Sequence, residues 1–138
     1  MPTPTQRLAA HFKALSEPTR LEILTLLLHH GELCVCDLEA VLGICQSNCS
    51  RHLKVLAGTG LLEWRRVGVW VHYRVAHAPT ADAAALLAVT RDLLDAERTA
   101  DLLERLARRL KEKGTPTLCG RKGAPGVPPD PAEPECYP

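Results

Sequence analysis

Two cysteines one residue apart, Cys34 and Cys36 in the run Glu32-Leu33-Cys34-Val35-Cys36-Asp37-Leu38, are the side chains best suited to chemistry in this sequence. Thiolates select soft ions such as zinc, cadmium, copper(I) or trivalent arsenic. Shortly after them, Gln46-Ser47-Asn48-Cys49-Ser50-Arg51-His52-Leu53 reads as the start of a helix whose polar side chains suit base edges and phosphates. A soft-ion ligand pair set directly ahead of a groove-reading helix fits a sensor rather than a catalyst. Catalytic alternatives find no motif, because the chain has no Cys-x-x-Cys, no nucleophile beside a base and no phosphate-cradling glycine loop.

In an ideal helix, residues i and i+2 point about 200° apart, so Cys34 and Cys36 can share one ion only if the helix begins irregularly or unwinds there. Metal capture is therefore expected to deform this helix and to pass the change to the reading helix behind it. Both cysteines fall near a helix N-terminus, where the dipole favours the thiolate. Of the remaining thiols, Cys49 takes an inward position and reads as core, while Cys45 stands where a capping Ser or Thr would. Cys119 and Cys136 sit in a tail long enough to reach the pair, so a third ligand stays open among Cys45, Cys49, Cys119, Cys136 and Glu39.

The elements that must position these groups follow from periodicity and punctuation. A short amphipathic helix runs from about Gln6 to Leu15, and Ser16 as N-cap with Pro18 in the first turn starts a second, carried by Leu21, Leu24, Leu27 and Leu28 and stopped by Gly31. A third helix is expected from about Leu33 to Leu42, ended by Gly43. The next, about Gln46 to Ala57, turns Cys49, Leu53 and Leu56 inward and leaves Gln46, Ser47, Asn48, Ser50, Arg51, His52 and Lys54 as candidate DNA contacts. Two short helices across a glycine turn make a helix-turn-helix. The alternating segment Leu61 to Val75, rich in Trp, Val and Tyr with Gly68 near its middle, predicts a hairpin in which Trp64 and Trp70 pack and Arg66 contacts DNA.

From about Thr80 to Lys113 a long helix is expected, with Leu86, Leu93, Ala100 and Ala107 at one heptad position and Val89, Ala96, Leu103 and Leu110 three residues later. So long an apolar seam in so small a chain predicts a homodimer interface. The fold class expected is mainly α with a β-hairpin wing, a winged helix-turn-helix over 1–113, followed by a Pro/Gly-rich flexible tail over 114–138. The formal net charge of +1 excludes a broad polyanion-binding coat, but Arg51, Lys54, Arg65, Arg66 and Arg74 face one acid, Glu63, across their stretch. The N-terminus carries no apolar signal region, and no apolar run nears the roughly 18 to 20 residues of a membrane span. A cytoplasmic location with reduced thiols is the expectation, with no membrane partner.

Four motifs in order, Ala14-Leu15-Ser16-Glu17-Pro18-Thr19-Arg20-Leu21, the Cys-Val-Cys run, Ser50-Arg51-His52-Leu53-Lys54-Val55-Leu56 and the hairpin from Gly60-Leu61-Leu62 to Tyr73, resemble the ArsR/SmtB family of metal-responsive winged-helix repressors. The resemblance covers about residues 6–110. It implies a homodimer that holds double-stranded operator DNA when metal-free and releases it when arsenite or antimonite binds the cysteines, with Cys34 and Cys36 as ligands. Cadmium, lead or zinc is the alternative inducer, and a thiol redox switch on the same fold is a further one. The sequence departs from the arsenite pattern, in which a third cysteine follows at a spacing that here falls on Glu39. It departs from the cadmium and lead pattern too, since no cysteine precedes Cys34. No histidine lies between Thr80 and Lys113, so the family's zinc site on the last helix is expected to be missing.

Overall fold

A computed structural model describes residues 1–113. The expected tail, with Cys119 and Cys136, lies outside the described residues. The elements run α1 (Pro4–Leu15), α2 (Pro18–His30), β1 (Leu33–Cys34), α3 (Val35–Leu42), α4 (Gln46–Gly58), β2 (Leu62–Val67), β3 (Trp70–Val75), α5 (Ala81–Leu93) and α6 (Ala96–Lys113). This is a mainly helical winged helix-turn-helix.

Helix α2 is the centre because its apolar residues leave it no polar face: Ile23, Leu24, Leu26 and Leu27 are all buried. Leu38 from α3, Leu53 and Leu56 from α4, Leu61 and Leu62, Tyr73 from β3, and Leu102 and Leu106 from α6 close around it. Glycines end the helices that matter for the site. Gly31 and Gly43 take φ of 100° and 66°, which side chains with a Cβ rarely adopt, so the chain leaves α2 and α3 sharply. Helix α1 is tied to the end of α4 by buried His11, whose Nε2 lies 2.8 Å from the Thr59 carbonyl oxygen.

The hairpin turns on Gly68 at φ 64°, with Val67 opposite Trp70. A two-residue loop with glycine first and a negative-φ residue second is the tight connection that matches strand twist. Strand β3 is central in a three-stranded antiparallel sheet of order β1-β3-β2. The third strand is a departure from expectation: Leu33 and Cys34, read as helix, are extended and pair with Tyr73 and His72.

Two further differences have local causes. Glu17, not Ser16, caps α2, its carboxylate accepting from the Arg20 amide at 3.0 Å, while the Ser16 hydroxyl donates back to the Lys13 carbonyl at the end of α1. The single helix expected over 80–113 is two helices, because Leu94 is extended and the Asp95 carboxylate accepts from the Glu97 amide at 2.9 Å, starting a new helix. The apolar seam is accordingly split: Leu103 and Leu110 pack on the core, whereas Val89 and Leu93 are exposed, Leu93 to 79%.

Candidate functional site

Alternation along β1 explains how the two cysteines meet. Leu33 turns into the main core with Tyr73, so Cys34 must point to the opposite face of the sheet. Cys34 is also the N-cap of α3, at φ −69° and ψ 147°, and Cys36 lies in the first turn. Since one of the pair is strand-like and the other helical, the 200° separation of an ideal helix does not apply. The sulfurs lie 2.8 Å apart, both residues buried, with Trp70 packed against them. The irregular start that a shared ion requires is thus present already, and α3 need not unwind to bring the sulfurs together.

A third ligand is not gathered in the same way. Among the described residues no group of three or more Cys, His, Asp or Glu side chains is arranged to hold a metal ion. Cys49 is fully buried, and burial, with smaller contributions from Glu39 and Cys34, pushes its thiol up to about 12. It therefore stays protonated at neutral pH and behaves as core. Cys45 caps α4 without a side-chain bond to the backbone. Glu39 is half-buried in the second turn of α3.

Helix α4 presents its polar face as its sequence requires, with one exception. Gln46, Ser47, Arg51 and Lys54 are exposed, Asn48 and Ser50 are half-exposed, and Arg51 donates to the Asn48 side-chain oxygen, which holds the guanidinium along the helix. His52 is the exception, since it is only 7% exposed. Its ring lies against the start of α2, where Arg20 Nη1 sits 3.3 Å from Nδ1 and a Glu17 carboxylate oxygen 3.8 Å away. Arginine can only donate, so Nδ1 must accept and the neutral ring carries its proton on Nε2. His52 therefore joins α4 to α2 and is not on the exposed face of α4. The arginine of the Pro18-Thr19-Arg20 run has a second task, donating through Nε to the Ala14 carbonyl at 2.6 Å.

The wing sorts its cations by pairing. On one face Arg65, His72 and Cys34 stand in a row across β2, β3 and β1. Arg65 makes a two-pronged ion pair with Glu32, which immediately precedes β1, and this contact holds the Glu32 carboxyl below its ordinary range. Arg74 pairs with Glu63 at 2.7 Å. Arg66 is exposed, lies on the other face of the hairpin beside Trp64, and has no ion pair among the described residues. The expected packing of the two indoles divides as well: Trp70 covers the sulfurs, while Trp64 is 58% exposed. Helix α3 is fastened from its other side by buried Asp37, whose Oδ1 lies 3.3 Å from Arg109 Nε on α6. Sequence reasoning missed the Glu32–Arg65 and Asp37–Arg109 contacts, which join segments 33 and 72 residues apart.

Comparison with known proteins bears on the same elements. Residues 17–63, from the cap of α2 into β2, match the family described as "Bacterial regulatory protein, arsR family". The homodimeric winged helix-turn-helix DNA-binding domain of a possible ArsR-family transcriptional regulator from Mycobacterium bovis superposes with a TM-score of 0.54 at 34% identity, over 63% of this chain and 77% of that one. The chain belongs to the ArsR family. Its family is one of DNA-binding transcriptional regulators and not of enzymes. The arsenical resistance operon repressor of Escherichia coli (strain K12) is 52% identical over 69 residues, 49% of this chain and 59% of that repressor. A cadmium resistance transcriptional regulatory protein CadC homolog of Staphylococcus aureus is 40% identical over 62 residues, 45% of this chain and 51% of that protein. This ArsR-family chain thus spans little more than half the length of these curated relatives. Among the described residues no helix is long and apolar enough to cross a membrane.

Proposed function

We propose that this protein is a homodimeric transcriptional repressor that holds operator DNA through α4 and the wing and releases it when arsenite or antimonite binds Cys34 and Cys36. The observation that carries the reading is the sulfur pair itself, 2.8 Å apart at the start of the helix that precedes the reading helix. Similarity to an arsenical resistance operon repressor over 69 residues supports the metalloid as inducer. The groove-reading set is Gln46, Ser47, Asn48, Ser50, Arg51 and Lys54, with Arg66 on the wing taking a phosphate. Exposed Leu8 and Phe12 on α1, with Val89 and Leu93 on α5, form the apolar surface for the second copy.

Cadmium, lead or zinc is the second reading, supported by similarity to a cadmium resistance regulator. Ligand number separates the two, because trivalent arsenic takes three sulfurs whereas zinc and cadmium favour four ligands that can include oxygen or nitrogen. The test is operator release titrated in parallel with arsenite, antimonite, cadmium, lead and zinc, followed by X-ray absorption on the most effective complex. Release by arsenite with a sulfur-only first shell is the expected result. Release only by a divalent ion with a mixed shell would move the assignment to the second reading.

A further inference from the structure

Helix α4 is held at two points by polar contacts that its apolar packing does not require. Near its middle, the buried His52 ring accepts at Nδ1 from Arg20 Nη1, 3.3 Å away. At its end, the Thr59 carbonyl oxygen accepts from Nε2 of His11 on α1 at 2.8 Å. The two points lie about two turns apart, about 10 Å along the helix axis. Arg20 is itself immobilised. Its Nε donates to the Ala14 carbonyl at 2.6 Å and its Nη2 to the Lys13 carbonyl at 3.3 Å, both in the last turn of α1. Its amide donates to the Glu17 carboxylate that caps α2, and the same carboxylate oxygen lies 3.8 Å from His52 Nδ1. The three guanidinium nitrogens therefore bind α1 twice and α4 once, and His52 is the contact that belongs to α4.

The inner face of α4, carrying Cys49, Leu53 and Leu56, packs by contacts that have no preferred direction, so by itself it resists a small rotation of the helix weakly. A side-chain tip stands about 6 Å from the helix axis, and a rotation of about 10° moves it by about 1 Å. Hydrogen bonds to base edges tolerate about 0.5 Å. Arg51 follows His52 by one residue in the reverse direction of the chain, about 100° around the same turn, so whatever fixes the one ring fixes the other's origin. From this geometry we infer that His52 and Arg20 are positioning residues for sequence discrimination: their hydrogen bond sets the rotation of α4 at which Arg51 meets a base. The inference rests on α4 as the DNA-reading helix proposed above and is independent of what binds the cysteines. Loss of the bond should reduce discrimination and spare the general attraction to DNA, because Arg51, Lys54 and Arg66 keep their charge.

The test uses the full chain, a duplex that the parent protein enriches from a random-sequence pool, and a scrambled duplex of the same composition. His52→Phe keeps a ring and removes the acceptor, whereas the amide oxygen of His52→Asn can stand where Nδ1 stood. Urea midpoints establish which variants are folded under the binding conditions. The expected result is that His52→Phe loses about 10-fold in discrimination between the two duplexes, the size of one base contact, with parent affinity for the scrambled duplex, and that His52→Asn regains the discrimination. Arg20→Lys keeps the charge without the fork and should show the same loss, and the double variant Arg20→Lys/His52→Phe should lose no more than either alone. Parent discrimination in folded His52→Phe or in Arg20→Lys would overturn the inference, as would equal losses in His52→Asn and His52→Phe or additive losses in the double variant. If His52→Phe does not fold, Arg20→Lys and His52→Asn decide by the same criteria. A parent protein that enriches no sequence would overturn the reading of α4 as a sequence reader, and the inference with it.

Discussion

Cys49 separates a core thiol from a metal ligand, and the structure sets the size of the effect. It is fully buried, at 0% accessibility on the inner face of α4, and its thiol is pushed up to about 12. Cys49→Ala removes one sulfur from a packed site, comparable to a single methyl deletion, and should cost about 0.5–1.5 kcal/mol. Cys49→Ser keeps the volume but buries a hydroxyl among Leu38, Leu53 and Leu56, at about 1–3 kcal/mol if it finds no acceptor. With a urea slope of about 1.5 kcal/mol per molar, the serine variant should unfold about 1 M earlier than the parent. Urea melts at fixed protein concentration, with arsenite-induced operator release measured on the same samples, give both quantities. The expected outcome is loss of stability in Cys49→Ser with the inducer response of the parent in both variants. A stable Cys49→Ser protein that no longer answers arsenite would refute the reasoning, since the buried thiol would then have to ionise and bind.

Three further outcomes are expected. Arg51→Ala should weaken operator binding by about 1–3 kcal/mol, about 5- to 150-fold, and reduce discrimination against scrambled DNA, whereas Arg66→Ala should weaken both DNAs alike and lower the salt slope by about one unit; equal discrimination in Arg51→Ala and the parent would contradict base reading. Burial first, and then Arg20 and Arg51 against the opposing pull of Glu17, holds the His52 pKa below its ordinary 6.5, so its contribution to stability is complete above that pH and lost as pH falls through the lowered value. Urea midpoints should therefore drop between pH 7 and 5.5 in the parent by more than in His52→Gln, and parallel profiles would count against this. Truncation after Lys113 should leave operator binding intact, because the helices that form the described core are retained; arsenite affinity kept in full would exclude Cys119 and Cys136 as ligands, and a fall to a two-thiol level would make one of them the third.

The parts legible in the sequence were those with local signatures. Leucine spacing and Gly31 and Gly43 located α2 and α3, and alternation about Gly68 located the wing. What was missed was decided across the chain or overridden locally. A two-residue strand at Leu33–Cys34 has no periodicity of its own and exists only because Tyr73 and His72 lie beside it. That pairing is also what brings the sulfurs together, so the most informative feature of the site was hidden behind the assumption of a regular helix. The break at Leu94 was masked by an apolar heptad that continues through it, although Asp95 two residues before Glu97 is a helix-start signal. The burial of His52 had a signal too: Cys49, His52, Leu53 and Leu56 fall at i, i+3, i+4 and i+7 on one face, and all four are buried.

The most direct measurement of the central claim is operator affinity with and without arsenite in the parent, Cys34→Ser and Cys36→Ser. The sulfurs face Trp70 and not the exposed polar side chains of α4, so both variants should bind operator as the parent does and stay bound when arsenite is added. Release from both variants at the arsenite concentration that frees the parent would contradict the claim that Cys34 and Cys36 are where the inducer is read.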